Sequence, residues 1–393
     1  MTNPPLIYLD HAATSPPLPE VRDEVRRLLE NGIADGNPSS RHSFGRQAAE
    51  LLERSRAAVA RTLYARPEEI FFVPSGTLAN NIALHGARAL AKSGKIIISA
   101  AEHPSVYETA EQLRRDGFEV AHIPAREGEL DLHALEHELD DNCALVSVMA
   151  VNNEHGAEYD VSAVGALLRR RYAGARRRPL LHADAVQAYM RRRLYPEQWG
   201  VDLCTVSFHK IGGLRGAAAL YVRKGTKLPP LWSGGGQERG LVSGTENTLA
   251  VAAGALAAQK WDERFDEWTA YMRTLREYLS GAASMFGYMH LNEPQAAAPH
   301  IASLRVEGVG GEVLMNYLSE RGICVSTGSA CSYNRKKAAE RSRALLDFGL
   351  DARACDCTVR VSFAPSTKFE EIDELLANID AIKKKYFSLD TID

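Results

Sequence analysis

The chain has 393 residues, 45% of them hydrophobic and 25% charged, with 47 Lys and Arg against 50 Asp and Glu for a net charge of −3. That length exceeds one ordinary core and predicts two domains, while the balanced charge excludes a global pull toward nucleic acid or an anionic membrane. No apolar run reaches membrane-spanning length, the N-terminus has neither region of an export signal, and six cysteines carry no zinc-type or disulfide-framework spacing, so a cytoplasmic protein is expected.

In chain order, seven short apolar runs read as strands: 69-EIFFV-73, 95-KIIIS-99, 118-FEVAHI-123, 143-CALVSVM-149, 179-PLLHAD-184, 201-VDLCTVS-207 and 217-AAALYV-222. Between them lie helical patterns such as 45-GRQAAELLERSRAAVARTLYA-65, 77-TLANNIALHGARALAK-92 and 161-VSAVGALLRRRY-172. Continuous apolar strands separated by helices predict an α/β fold, with a mostly parallel seven-stranded sheet covered on both faces. The link from Ser207 to Ala217 is too short for a parallel crossover, so one strand should be antiparallel. Cys143 and Cys204 read as inert core residues. Arginines in 169-RRRYAGARRR-178 and at Arg191 to Arg193 read as a solvated helix end and loop, an acidic partner or a tRNA being the alternative. A long alanine-rich helical stretch runs from about Thr248 to Ser284, and a smaller α+β unit follows from about residue 299. Cys355-x-Cys357 there fits neither a redox C-x-x-C nor a zinc knuckle.

Ligands of a parallel sheet bind beyond the carboxyl ends of its strands. Five strand ends carry polar groups: Ser75-Gly76-Thr77 opening a helix, Glu102-His103, Asn152-Asn153-Glu154-His155, Asp184 with Gln187, and His209-Lys210. Singly, each has a plainer reading, as a helix cap, a turn or a solvated lysine. Together they offer an anion cradle, a flat imidazole, an amide, a carboxylate and an amine. An aromatic phosphate cofactor with a basic ring nitrogen would need that set. In 205-TVSFHKIGGLRG-216 the glycines would let the backbone turn tightly while Lys210 is held at the ring.

These residues fall in motifs that resemble the pyridoxal 5′-phosphate-dependent cysteine desulfurases of the class V aminotransferase group. The resemblance runs through 8-YLDHAATSP-16, 36-GNPSSRHSFGRQA-48, 102-EHPSV-106, 151-VNNEHG-156, 182-HADAVQ-187, 207-SFHK-210, 234-GGGQERGLVSGTEN-247, 326-STGSAC-331 and 359-VRVSF-363. It implies a fold-type I transferase with a large cofactor domain over 16–265 and a small domain from 1–15 and 266–393. It also implies that Lys210 holds the cofactor and moves the substrate α-proton, and that Asp184 pairs with the ring nitrogen. His103 would face the ring, while Asn153 and Gln187 would bond its phenolic oxygen. Gly76, Thr77, Ser207 and His209 would hold the phosphate, with Thr245 supplied by the partner of a homodimer. Arg360, with Asn153 and Asn37, would bind L-cysteine. Cys331 would take the substrate sulfur as a persulfide, leaving L-alanine.

The long segment between Cys331 and Arg360 is similar to the branch with the longer mobile cysteine loop, which hands sulfur to an acceptor protein. Iron–sulfur clusters, thiolated tRNA and DNA phosphorothioation all stay open as destinations, with no direct nucleic-acid binding and no metal expected. The chain departs from the family pattern at Leu78, His155, Phe208, Gln237 and Val242. Rival readings are a selenocysteine lyase, a class V transaminase, or a non-catalytic scaffold-binding protein. Cys331 argues against the transaminase, and Lys210, Asp184 and Arg360 together argue against the last.

Overall fold

The computed structural model describes residues 6–90, 93–327 and 341–387. Its strands begin with β1 (Ile7–Tyr8), β2 (Ile70–Val73), β3 (Lys95–Ser99), β4 (Glu119–Ile123) and β5 (Cys143–Met149). Next come β6 (Leu180–Asp184), β7 (Leu203–Ser207), β8 (Ala218–Val222) and β9 (Met289–Leu291). The last four are β10 (Ile301–Val306), β11 (Ile323–Cys324), β12 (Ser326–Thr327) and β13 (Thr358–Ser362).

The large sheet has seven strands in the order β2-β8-β7-β6-β5-β3-β4. β4, β3, β5, β6 and β7 pair in parallel, and β8 runs antiparallel to both β7 and β2. Every residue of β3, β5, β6, β7 and β8 is buried. Their near-continuous Val, Ile, Leu and Ala content suits a sheet covered on both faces. Registry places Met149, Asp184 and Thr205 side by side at one edge, with Ser207 opposite Ala218. That edge is the carboxyl end of the parallel strands, so whatever follows β5, β6 and β7 emerges at one place.

Local chemistry starts the helices that leave this edge. Ser75 caps helix Gly76–His85 by accepting from the Leu78 amide at 3.2 Å. His103 caps helix Pro104–Arg115 through Nδ1, which accepts from the Ser105 amide at 3.1 Å, and Pro104 occupies the first turn where its missing N–H costs nothing. After β7 the chain makes a short turn at Phe208–Lys210 and reverses through Gly212 (φ 82°) and Gly216 (φ 85°), left-handed positions that favour glycine. Gly254, in helix Thr248–Glu263, leaves the room that Phe208 fills, since a Cβ there would collide with its ring.

A second, antiparallel sheet runs β12-β13-β10-β9. β1 pairs in parallel with β11, and Asp10 bridges to Ser362. The N-terminal segment therefore lies against both sheets: the Ala12 amide donates to Ser362 Oγ at 2.9 Å and the Ser15 amide to the His209 carbonyl at 2.8 Å. The helical stretch expected over 248–284 is two helices, Thr248–Glu263 and Phe265–Ser284, broken at Arg264. The break is accompanied by an edge-to-face contact of Trp261 and Trp268, centroids 4.6 Å apart.

Candidate active site

A cavity of about 210 Å³ lies at the carboxyl edge of the large sheet. Eleven of the residues singled out in the sequence line it: Ser75, Gly76, Thr77, His103, Asn153, Asp184, Gln187, Ser207, His209, Lys210 and Arg360. They come from five strand ends of one sheet and, through Arg360 on β13, from the other.

Lys210 Nζ donates to the carbonyls of Ala12 (2.7 Å) and Ala13 (2.8 Å). Gln187 Nε2 also donates to Ala12 (2.8 Å), and its Oε1 lies 3.3 Å from Nε2 of the buried His300. Asp184 is buried; Oδ2 accepts from Asn80 Nδ2 at 2.8 Å and Oδ1 from the Val186 amide at 3.0 Å. His103 Nδ1 lies 2.8 Å from Ser105 Oγ, and burial holds its pKa below the usual histidine value. His209 Nδ1 sits 3.1 Å from Thr14 Oγ1, and burial, aided by Lys210 and Arg215, pushes its pKa down to about 4. Both imidazoles are therefore neutral at physiological pH. Arg360 donates from Nη1 to the Asn153 carbonyl and from Nη2 to Asp10 Oδ1, each at 2.8 Å.

Behind the cavity, Glu102 Oε1 accepts from the Met149 amide at 2.6 Å and from Ser99 Oγ at 2.7 Å. Burial, reinforced by the Asp184 carboxylate, raises the Glu102 pKa to about 8. Glu154 is raised to about 7 by burial, and Ser342 Oγ donates to it at 2.5 Å.

Thr245 and Asn37 are exposed and do not line this cavity. Asn37 Oδ1 accepts from the Ser39 amide at 2.9 Å. Cys331 lies outside the described residues. Cys143 and Cys204 are buried in strands, with pKa values raised by burial, as inert thiols should be. Asn80, Ser105 and Asp10 were not singled out from the sequence, although each holds a lining group. Asn80 could have been found, since it lies one helical turn beyond Gly76 and so on the same face. Of the departures from the family pattern, His155 packs on Phe348 with centroids 4.8 Å apart, and Gln237 Oε1 accepts from the Gly244 amide at 3.0 Å.

A class V aminotransferase family profile matches residues 7–375. The chain belongs to the class V aminotransferase family. A NifS/IcsS protein homolog of Lactobacillus delbrueckii subsp. bulgaricus is 37% identical over 392 residues, covering 97% of this chain and 98% of the relative. The cysteine desulfurase IscS of Salmonella paratyphi B is 35% identical over 385 residues, covering 96% and 92%. A solved NifS-like protein superposes with a TM-score of 0.88 at 31% identity, over 97% of this chain and all of the other. No helix among the described residues is long and apolar enough to cross a membrane.

Class V aminotransferases of this kind depend on pyridoxal 5′-phosphate. Two features of the cavity fit that group. Ser207 Oγ is buried without a hydrogen-bond partner among the described residues, beside a helix N-terminus whose N–H groups suit a phosphate. Gly76 at that N-terminus lies against Val186, so that an added Cβ would sit 3.1 Å from Val186 Cγ2.

Proposed function

We propose that the chain is a cysteine desulfurase that splits L-cysteine into L-alanine and a sulfur atom held as a persulfide on Cys331. What carries this reading is the near-full-length similarity to an enzyme named cysteine desulfurase, joined to one cavity lined by Lys210, Asp184 and Arg360. When bound, pyridoxal 5′-phosphate supplies the electron sink that lets an α-proton leave. The chain's own residues do the rest. Lys210 would hold the cofactor and take and return the substrate α-proton. The buried Asp184 carboxylate would hold a proton on the ring nitrogen, and His103 would offer a neutral aromatic wall. Asn153 and Gln187 would bond the phenolic oxygen. Thr77, Ser207 and His209, with the helix N-terminus at Gly76, would hold the phosphate. Arg360 binds the substrate carboxylate as a two-pronged donor, with Asn153 beside it. The Cys331 thiolate attacks the substrate sulfur; the Cβ–S bond breaks with its electron pair left on carbon. Cβ takes the proton given up when the Cys331 thiol ionised, Lys210 returns the α-proton to Cα, alanine leaves, and the sulfur stays on Cys331.

The reading extends to a homodimer, because Thr245 and Asn37 face solvent in one chain and would serve a partner's cavity. It also extends to two domains, 16–265 and 1–15 with 266–393, to residence in the cytoplasm, and to a protein that accepts the sulfur.

The test incubates the purified, cofactor-loaded protein with L-cysteine, assays alanine and maps persulfide to a peptide by mass spectrometry. Cys331→Ser should keep the cofactor's visible absorbance and its response to cysteine, yet lose the persulfide and at least about two orders of magnitude in alanine release. Alanine release at the wild-type rate from that variant would refute the persulfide step.

A further inference from the structure

Beneath the cavity lies a buried cation that the reaction outlined above does not use. Arg191 sits on the loop that follows β6, the same loop that carries Gln187 to the cavity, and only 5% of it is exposed. No carboxylate among the described residues forms an ion pair with it. Nη2 donates to the Lys210 carbonyl at 3.0 Å, Nη1 to the Met190 carbonyl at 3.3 Å, and Nε is buried with no hydrogen-bond partner among the described residues. Burial lowers its pKa to about 9, which still leaves a cation at neutral pH. Buried charges are ordinarily paired. Here the preceding residue, Met190, adopts φ 58°, a left-handed conformation that side chains other than glycine rarely take.

The partner of this guanidinium is a ring and two carbonyls rather than an acid. Its face lies 3.8 Å over Trp261, and Trp261 Nε1 donates to the Ile211 carbonyl at 2.9 Å. Two consecutive carbonyls of the lysine turn are thus held by one stacked pair, and Ser15 Oγ also donates to the Lys210 carbonyl at 3.1 Å. A planar guanidinium lies flat on a ring while its edge donates to the Lys210 and Met190 carbonyls; an ammonium has no face to stack and no fixed fork.

We propose that Arg191, stacked on Trp261, is a positioning residue for Lys210: the pair fixes the carbonyls of Lys210 and Ile211 and thereby the direction in which the lysine amine leaves the turn into the cavity. This rests on the reading of Lys210 as the residue that holds the cofactor. The loop after β6 then serves both Asp184, the last residue of that strand, whose Oδ1 accepts from the Val186 amide, and the lysine turn.

The test strips the full chain of cofactor, adds pyridoxal 5′-phosphate, quenches with borohydride at timed intervals and maps the fixed cofactor to its lysine. Arg191→Met should slow fixation at Lys210 about tenfold, the effect of one lost charge-assisted hydrogen bond. Arg191→Lys should recover only part of that. Hydrogen exchange should quicken at the Ile211 and Gly213 amides, which donate to the Phe208 carbonyl, and not in β5. Trp261→Phe, which keeps a smaller aromatic face and deletes one donor, should slow fixation by roughly threefold and serves if Arg191→Met does not fold. Fixation within about twofold of wild type in a folded Arg191→Met, or in Trp261→Phe if Arg191→Met does not fold, overturns the proposal. Fixation of the wild type at another lysine overturns instead the role given to Lys210, so the two failures are distinct.

Discussion

Arg360 sits in β13, paired with Ser303 of β10 and Ser326 of β12, and its guanidinium reaches the cavity almost wholly buried. Asp10 and the Asn153 carbonyl each take one of its terminal nitrogens, so its orientation is set before any substrate arrives. Its Nε is buried without a partner among the described residues, and a substrate carboxylate could satisfy it. Arg360→Ala is expected to cost about 2–5 kcal/mol of L-cysteine affinity while cofactor content stays near wild type, measured by titration and by absorbance. Loss of the cofactor with cysteine affinity intact would show that Arg360 serves the wrong ligand. Much of this site was legible because a parallel sheet gathers its strand ends, so Gly76, His103, Asn153, Asp184 and Lys210 could be ordered along the chain and assigned to one edge. Asp10 escaped because it meets Arg360 across 350 residues of chain, a contact that no periodicity encodes. Arg191 escaped too: in the sequence it belongs to an ordinary basic run, and burial without an acidic partner among the described residues separates it from Arg192, paired with Glu158, and Arg193, paired with Asp262.

The glycine-rich segment 234–247 shows how one ion pair can set an element. Arg56, on helix Ser43–Thr62, makes a two-pronged contact with Glu238 (Nη1 to Oε2 2.7 Å, Nη2 to Oε1 2.8 Å), both side chains being at most 5% exposed. Glu238 Oε2 also accepts from the Phe72 amide of β2 at 2.8 Å, and Arg56 lies over the Phe72 ring. Helix, strand and loop are pinned together at one carboxylate. Glu238 and Arg239 both adopt left-handed backbone, at φ 45° and 56°, which the pinning must hold in place. Glu238→Ala should therefore destabilise the fold by about 3 kcal/mol, because it leaves the buried guanidinium with the exposed Glu53 carboxylate alone. The paired change Arg56→Met with Glu238→Leu should cost far less, and equilibrium unfolding of both variants measures the difference. Equal losses would mean that volume rather than charge governs the site. Elements of this size were readable where they were long or strongly apolar. The reversal at β7–β8 followed from a link too short to cross the sheet, whereas β1, β9 and β11 span two or three residues each and give no pattern to read. The break at Arg264 was invisible because the residues on both sides of it favour helix.

Across the whole molecule, burial of titratable groups sets a pH of maximum stability. Burial pushes His155 down to about 3 and His11, His182 and His209 to about 4 from an ordinary 6.5, and His300 goes well below it. Such groups contribute stability that is present above pH 6.5 and is lost as pH falls, because the unfolded chain takes up protons that the fold refuses. Glu102 and Glu154 have the opposite sign. Their pKa values rise from 4.5 to about 8 and about 7, so their contribution is full below pH 4.5 and is lost as pH climbs toward those values. Between pH 4.5 and 6.5 the five histidines outweigh the two carboxyls, and stability should fall with acid. From about pH 7 to 8 the unfolded histidines have given up most of their protons while the folded carboxyls keep theirs, and stability should fall with base, each proton of difference being worth about 1.4 kcal/mol per pH unit. The expected maximum lies near pH 7. Denaturant unfolding of the cofactor-free protein from pH 5 to 8, at one protein concentration so that any self-association is constant, would locate it. Glu102→Gln removes one of the two carboxyls while keeping an acceptor for the Met149 amide and for Ser99. Its alkaline limb should be distinctly flatter than wild type and its acid limb somewhat steeper. A wild-type maximum at pH 8, or an unchanged alkaline limb in the variant, would mean that Glu102 is ionised throughout and that water reaches it in the folded protein.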